Sequence, residues 1–373
     1  MLKEIEKGIK NRQTLEVEET IWLALHASTE ELQRMADEFR RQLHGDRVWY
    51  NRNIHFEPTN ICLYSCRFCA FYRSPRNRHR SDSWEWGIDE LLKLLQRHPA
   101  GSLTELHITG GVHPDRGVDW AEELLSSVRA VRPELHIKAF TAVEIDYFAR
   151  KSKLSICDTL SRLRNAGLGS LPGGGAEIFA PEVRKEIAGG KAPAHRWLEV
   201  HREAHKMGLF SNATMLYGHV ENWEQRVDHL LRIRNLQEEF SGFKAFIPLR
   251  YRNGHNQMSA LPEISEDEER RIFAISRLFL HNIPHLKAYW VMSGVSRALD
   301  LLSYGADDLD GTIADTTKIY SMAGGEEHPS QDVEEMESAI RSAGWRPVER
   351  DSLYRPVVKS LRSSVSPACS SAD

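Results

Sequence analysis

The chain has 373 residues, 41% of them hydrophobic and 27% charged, which is enough apolar material for a sizeable core and excludes a disordered polypeptide. A formal net charge of -4 gives no electrostatic reason to expect a nucleic-acid partner. The opening stretch MLKEIEKGIKNRQTLEVEET has no apolar h-region, and no window reaches the ~18 apolar residues of a membrane span, so a cytoplasmic, membrane-free protein is expected.

Residues 14 to 45 carry two helical patterns, TLEVEETIWLALHA and TEELQRMADEFRRQL, with a start signal at Thr29, Glu30 and Glu31. They predict a helical cap over residues 1–50. From residue 54 the texture changes to short β-rich runs. These are IHFEP at 54, ELHITG at 105, ELHIKAF at 134, GAEIF at 175, FSNATML at 210, KAFIPL at 244 and LKAYWVM at 286, with a weaker eighth at LLSYGA, 301. Helical segments such as WAEELLSSVRAV, AHRWLEVHREAHKMG, WEQRVDHLLRIRNLQEEF and EDEERRIFAISRLFLHN separate them.

Strands alternating with helices of 10 to 15 residues imply βαβ units and a parallel sheet. Seven or eight units in ~250 residues suit a closed (β/α) barrel of the TIM type, whole or partial, better than an open sheet of five or six strands. The expected organisation is a barrel core over 51–325, a C-terminal helix and extension over 326–358, and a disordered Ser-rich tail over 359–373. Barrel chemistry sits at the carboxyl ends of strands, where TNIC, TGGVHPD, TAVEID, MLYGHVE and PLRYRNGHN concentrate Gly, His, Asn and Cys.

Five cysteines, an odd number without a secretion signal, point to metal or catalysis before a disulfide framework. Three fall in CLYSCRFC: Cys62, Cys66 and Cys69. Soft thiolates suit zinc or iron–sulfur clusters. Structural zinc wants four protein ligands, which His55 or His79 would have to complete; a cubane held by three thiolates leaves one iron open to a substrate or cofactor. Cys157 reads as a small buried hydrophobe and Cys369 as a tail thiol without a role.

CxxxCxxC with Phe68 before the third cysteine, on the loop after the first barrel strand, resembles the signature of radical S-adenosylmethionine (SAM) enzymes. The likeness extends over roughly residues 45 to 350, through RNIHFEPTNICLYSCRFCAFYR, HITGGVHPD, KAFTAVEI, SLPGGGAEIFAPEVR, SNATMLYGHVE, IPLRYRN, KAYWVMSG and GADDLDGTI. These segments are similar to the menaquinone- and deazaflavin-pathway group of the superfamily, and most of all to the aminofutalosine synthases. The resemblance implies a [4Fe-4S] cluster on Cys62, Cys66 and Cys69, whose fourth iron chelates SAM and whose electron releases a 5′-deoxyadenosyl radical. It further implies addition of that radical to 3-[(1-carboxyvinyl)oxy]benzoate, giving 6-amino-6-deoxyfutalosine, methionine and bicarbonate. An external electron donor such as flavodoxin or ferredoxin is implied as well. The sibling cyclase, cyclic dehypoxanthine futalosine synthase, shares the cluster loop and PGGGAEI, and a non-catalytic zinc or iron–sulfur protein is the alternative outside this class.

On the same resemblance, Phe68, Gly110, Gly111 and Glu144 are expected to bind SAM. Val112 and His113 replace the acid that usually follows the glycine pair. Gly-Gly also makes a plain strand-ending turn, and Glu144 also suits a helix N-terminus. Gly173, Gly174 and Gly175 are expected just before the fourth strand; without a following lysine they are no phosphate loop. The substrate's two carboxylates demand cations or convergent donors, for which His219, Arg250 and Arg252 are candidates, each with a surface role as its alternative. His201 and His205 share a helix face, but the glutamate is misplaced for a zincin motif, and a solvated or interhelical pair is expected.

Overall fold

The computed structural model describes residues 1–357. Ten strands are present among them: β1 Arg47–Asn51, β2 Asn53–Phe56, β3 Glu105–Ile108, β4 His136–Ala139, β5 Ser170–Leu171, β6 Phe210–Tyr217, β7 Phe243–Arg250, β8 His285–Leu286, β9 Asp308–Gly311 and β10 Arg346–Glu349. Strands β2 to β8 form one parallel sheet in chain order, and β10, β1 and β9 form a second. The two are joined at both ends. Asp307 N donates to Leu286 O at 2.9 Å and Ala288 N to Asp308 O at 2.8 Å, linking β8 to β9, while β1 runs into β2 through Arg52 alone. The β8–β9 bonds and the covalent β1–β2 link together bring the strands around into a (β/α) barrel.

Helices cover the outside, and several of them open on a side chain that satisfies a first-turn amide. Ser28, Thr141, Ser155, Asn222 and Ser265 all accept from the third residue of the helix they start. Strand residues alternate accordingly: Leu106, Ile108, Ile137 and Ala139 are fully buried apolar groups, whereas Glu105, His107 and Lys138 point to the barrel interior, where they line a cavity.

Several expectations are corrected. The helical cap ends at His44, and residues 47–51 are strand β1, paired in parallel with β9 and β10. A further helix, Leu2–Lys10, precedes the two expected ones. Residues 326–358 supply not only the helix Val333–Ser342 but also β10, which completes the β1 sheet. The strand expected in GAEIF is instead Ser170–Leu171, so the three glycines follow it. The reason is steric: a Cβ on Gly173 would come within 2.8 Å of the Ala213 carbonyl carbon on β6, and Gly175 has φ +89°. The eighth strand is DLDG at 308, not LLSYGA, which forms the end of the helix Val295–Leu301 and a 3-10 turn. LKAYWVM is strand only at its start, because Trp290–Ser293 turns into a helix.

Buried and half-buried arginines fasten the cap, among them Arg271, which donates to Ala24 O and Ala27 O. Arg40, with no exposed surface, donates to the carbonyls of Ala306, Gly45 and Arg47 at 2.9, 2.9 and 2.6 Å and lies 4.0 Å from the Trp345 ring centre. Cys157 is exposed, since Ile156, Thr159, Leu160 and Leu163 take the inward face of its helix. His201 and His205 are buried, not solvated: both rings meet Ser211 Oγ of β6 at 2.8 Å. The expected tail and Cys369 lie outside the described residues.

Candidate active site

The loop after β2 is tied to three neighbours. Leu63 N donates to Val112 O (2.9 Å) and Gly111 N to Thr59 O (2.7 Å) beyond β3; Arg67 N donates to Ile187 O (2.8 Å); and Gln257 N beyond β7 donates to Arg67 O (2.9 Å). This loop sets Cys62, Cys66 and Cys69 at the mouth of a cavity of about 1560 Å³, open end included, that runs down the barrel interior.

All three thiols are pushed up by burial, Cys66 to about 11 and Cys69 to about 12, while the Lys191 ammonium pulls each of them down. Cys62 Sγ already accepts from Tyr64 N (3.4 Å) and Val112 N (3.3 Å), as suits a thiolate. One set of three His, Cys, Asp or Glu ligand atoms within 4.8 Å of one another occurs among the described residues: His44, His285 and Asp307, at the amino end of the barrel, where His285 is hydrogen-bonded to Asp307 and His44 to Pro284 O. The cysteine sulfurs are therefore spread wider than the ~4 Å that a single tetrahedral ion with ~2.3 Å metal–sulfur bonds gathers. A multi-iron core fits that spread and the all-thiolate donor set. His55 sits inside the barrel against His107 and His79 is exposed on the next loop, so neither completes a zinc site.

Phe68 lines the cavity and lies under Lys191 Nζ, 5.7 Å from its ring centre; Lys191 is ion-paired with the buried Glu177. Gly110 and Gly111 line the cavity too, but the chain itself explains their lack of side chains. A Cβ on Gly111 would stand 2.3 Å from Ile61 O, and one on Gly110 2.9 Å from Thr59 O. Glu144 belongs to the helix Ala142–Ser152, not to a strand end. Its Oε2 accepts from Thr141 N and Oγ1, both at 2.8 Å, and from Thr109 Oγ1 at 3.3 Å. Burial raises its pKa to about 7. It does not line the cavity and holds the strand ends that do.

The expected carboxylate receptors are largely occupied. His219 is buried beside Glu221, with Nε2 3.1 Å from Leu216 O, and does not reach the cavity. Arg250 and Arg252 both line it. Arg250 donates to Glu269, Glu263 and Ile264 O at 3.2, 3.0 and 2.9 Å. Arg252 donates to Gly324 O at 2.6 Å and Glu263 at 3.3 Å, which makes it a latch on the segment after β9. Glu57 holds that segment from the other side: the buried carboxylate accepts from Thr317 Oγ1 (2.7 Å), Lys318 N (2.7 Å) and Ile319 N (3.2 Å). Ile319, Tyr320 and Ala323 thereby wall the cavity. Sequence reasoning passed over this wall and the polar interior of Glu105, His107, Lys138, Lys287, Tyr289 and Asp310. The available signal was charge at alternate positions inside strands buried on both faces.

The sequence profile described as the radical SAM superfamily matches residues 56–233, and that of the CofH/MqnC C-terminal region matches 240–361. The chain is 40% identical over 332 residues to the aminodeoxyfutalosine synthase of Thermus thermophilus, covering 87% of this chain and 88% of that protein. The chain belongs to the radical SAM superfamily. It is also 37% identical over 347 residues to a 5-amino-6-(D-ribitylamino)uracil–L-tyrosine 4-hydroxyphenyl transferase of Methanosarcina barkeri, covering 90% of this chain and 89% of that one. The [FeFe]-hydrogenase maturase HydG of Carboxydothermus hydrogenoformans shares the fold at TM-score 0.74 and 16% identity, covering 95% of this radical SAM chain and 80% of HydG. Enzymes of this superfamily use a [4Fe-4S] cluster and SAM. No helix among the described residues is long and apolar enough to cross a membrane.

Proposed function

We propose that this radical SAM enzyme is an aminofutalosine synthase, joining the 5′-deoxyadenosyl group of SAM to 3-[(1-carboxyvinyl)oxy]benzoate to give 6-amino-6-deoxyfutalosine, methionine and bicarbonate. One observation carries the reading: the three cysteines, the glycine pair Gly110 and Gly111 and the polar barrel interior all line one continuous cavity. The kinship to aminodeoxyfutalosine synthases supports the choice of both substrates.

In this reading Cys62, Cys66 and Cys69 hold the cluster, which with SAM supplies the electron and the carbon radical. The chain's own residues do the rest. Gly110 and Gly111 let the strand end lie flush against the cluster loop, and Glu144 fixes that strand end through Thr109 and Thr141. Lys191, held by Glu177, sets a positive charge beside the thiolates. The wall from Ile319 to Ala323, pinned by Glu57 and Arg252, closes one side of the cavity and so limits how the substrate can lie against the radical source. An external one-electron donor is required, and flavodoxin or ferredoxin fits the role.

The test is an anaerobic assay of the reconstituted enzyme with dithionite, SAM and the enolpyruvyl benzoate. Aminofutalosine is the expected product. Free 5′-deoxyadenosine alone, or turnover of dehypoxanthine futalosine instead, would contradict the assignment.

A further inference from the structure

Parallel barrels ordinarily fill their interior with branched apolar side chains. Here Glu105, His107, Lys138, Lys287 and Asp310 project into it, at the end of the cavity away from the cysteines. His107 precedes Gly110 by three strand residues, which places this floor on the order of 10 Å below the glycines. Lys138 donates to Glu105 at 2.6 Å and Lys287 donates to Asp310. The ion pairs cancel in charge, but the hydrogen-bonding capacity does not cancel. An ammonium has three N–H groups, and each lysine spends one on its carboxylate.

Two more polar atoms are left over. Tyr289 is 7% exposed, lines the cavity, and its hydroxyl has no partner among the described residues. His107 Nε2 has none either, while its Nδ1 meets His55 Nε2 at 3.3 Å. Buried groups of this kind are ordinarily satisfied, so something that enters the cavity completes them. Lys138, Lys287 and the Tyr289 hydroxyl can all donate into the cavity, which suits an incoming group with acceptor oxygens.

We propose that Tyr289, His107 and the free N–H groups of Lys138 and Lys287 form a receptor for a substrate carboxylate, the one at the end of the molecule remote from the bond-forming carbon. The inference rests on the reaction proposed above, in which the vinyl carbon must lie at the cysteine end; the floor then takes the carboxylate on the benzene ring. Glu105 and Asp310 act as positioning residues that hold the lysines. Because the floor carries no net charge, recognition is by directed hydrogen bonds, and binding depends only weakly on salt.

Tyr289→Phe removes one oxygen that no protein group uses, so cluster content and thermal stability are expected to stay at the wild-type level. Equilibrium binding is measured on cluster-loaded, SAM-bound enzyme held oxidised so that it cannot turn over, with the enolpyruvyl benzoate and with its analogue lacking the ring carboxylate. Wild type is expected to prefer the benzoate by about 10- to 100-fold, and Y289F to narrow that ratio about tenfold with SAM affinity unchanged. A wild-type ratio near one, meaning that only water fills the floor, overturns the proposal, as does a ratio that Y289F leaves intact. Carboxylate-dependent binding without any conversion of the benzoate supports the receptor and contradicts the reaction instead.

Discussion

Replacing Gly111 by alanine perturbs the cluster loop through a single methyl group. The new Cβ would lie 2.3 Å from Ile61 O, 2.8 Å from Ile61 C and 3.1 Å from Asn60 C, so the backbone just before Cys62 must retreat by about 1 Å to reach ordinary contact. That movement pulls on two hydrogen bonds, Val112 N to Cys62 Sγ at 3.3 Å and Leu63 N to Val112 O at 2.9 Å. Overpacking of this kind costs ~1–3 kcal/mol and a weakened hydrogen bond ~1 kcal/mol more, a total of ~2–4 kcal/mol. The expected fall in Tm is about 3–5 °C for a chain of this length. A displacement of this size also costs about 10²-fold in rate where radical and acceptor must be held in register. Iron and sulfide content, differential scanning calorimetry and single-turnover kinetics read the three effects. Gly190→Ala is the control, since its Cβ meets only Tyr64 Cδ1 at 3.8 Å. Wild-type Tm and rate in G111A would refute the close approach of the two segments.

Four other outcomes are expected. Burial holds His44, His55, His136 and His205 at about 4 and His229 at about 3, against 6.5 when unfolded, so below pH 6.5 the unfolded chain takes up protons that the folded chain excludes. Stability is then lost as pH falls from 6.5 toward 4; a Tm that stays flat across that window contradicts this. Glu57 and Glu144, raised to about 7 from 4.5, run the other way, losing stability as pH rises from 4.5 to 7, and the E57Q/E144Q double variant should flatten that limb of the Tm profile. Arg252→Met frees Gly324 O, and hydrogen exchange should rise across residues 312–331 with little change in global Tm; unaltered exchange would rule out the latch. Ser28→Ala removes the cap of the helix Thr29–His44, for an expected loss of ~1 kcal/mol in urea unfolding.

The barrel was legible because ELHI, HIKA and FSNATML alternate with long amphipathic helices, a pattern that only a parallel sheet covered by helices satisfies. The cysteine triplet was legible from its spacing alone. Strand β5 was not: Ser170–Leu171 is two residues long, and the chain after it is bent where Gly173 packs on β6, so composition pointed five residues too far along. Strand β9, DLDG, reads as a turn because its acids are neutralised by Arg350 and Lys287, which are distant in sequence. The same blindness hid the partners of the arginines. Arg250 and Arg252 stand where a carboxylate receptor was expected, yet Glu263 and Glu269 already occupy them. Glu144 shows the converse, a capping box whose carboxylate is buried and shared with the next strand. Partners brought together by tertiary structure decide each case, and no local pattern carries that information.

The central claim is that Cys62, Cys66 and Cys69 carry a four-iron core with one iron open to SAM. Mössbauer spectroscopy of the ⁵⁷Fe-reconstituted enzyme, with and without SAM, tests it most directly. The account predicts four irons per chain, one of which changes its isomer shift when SAM is added. Zinc in place of iron, or a spectrum that SAM leaves unchanged, would contradict it.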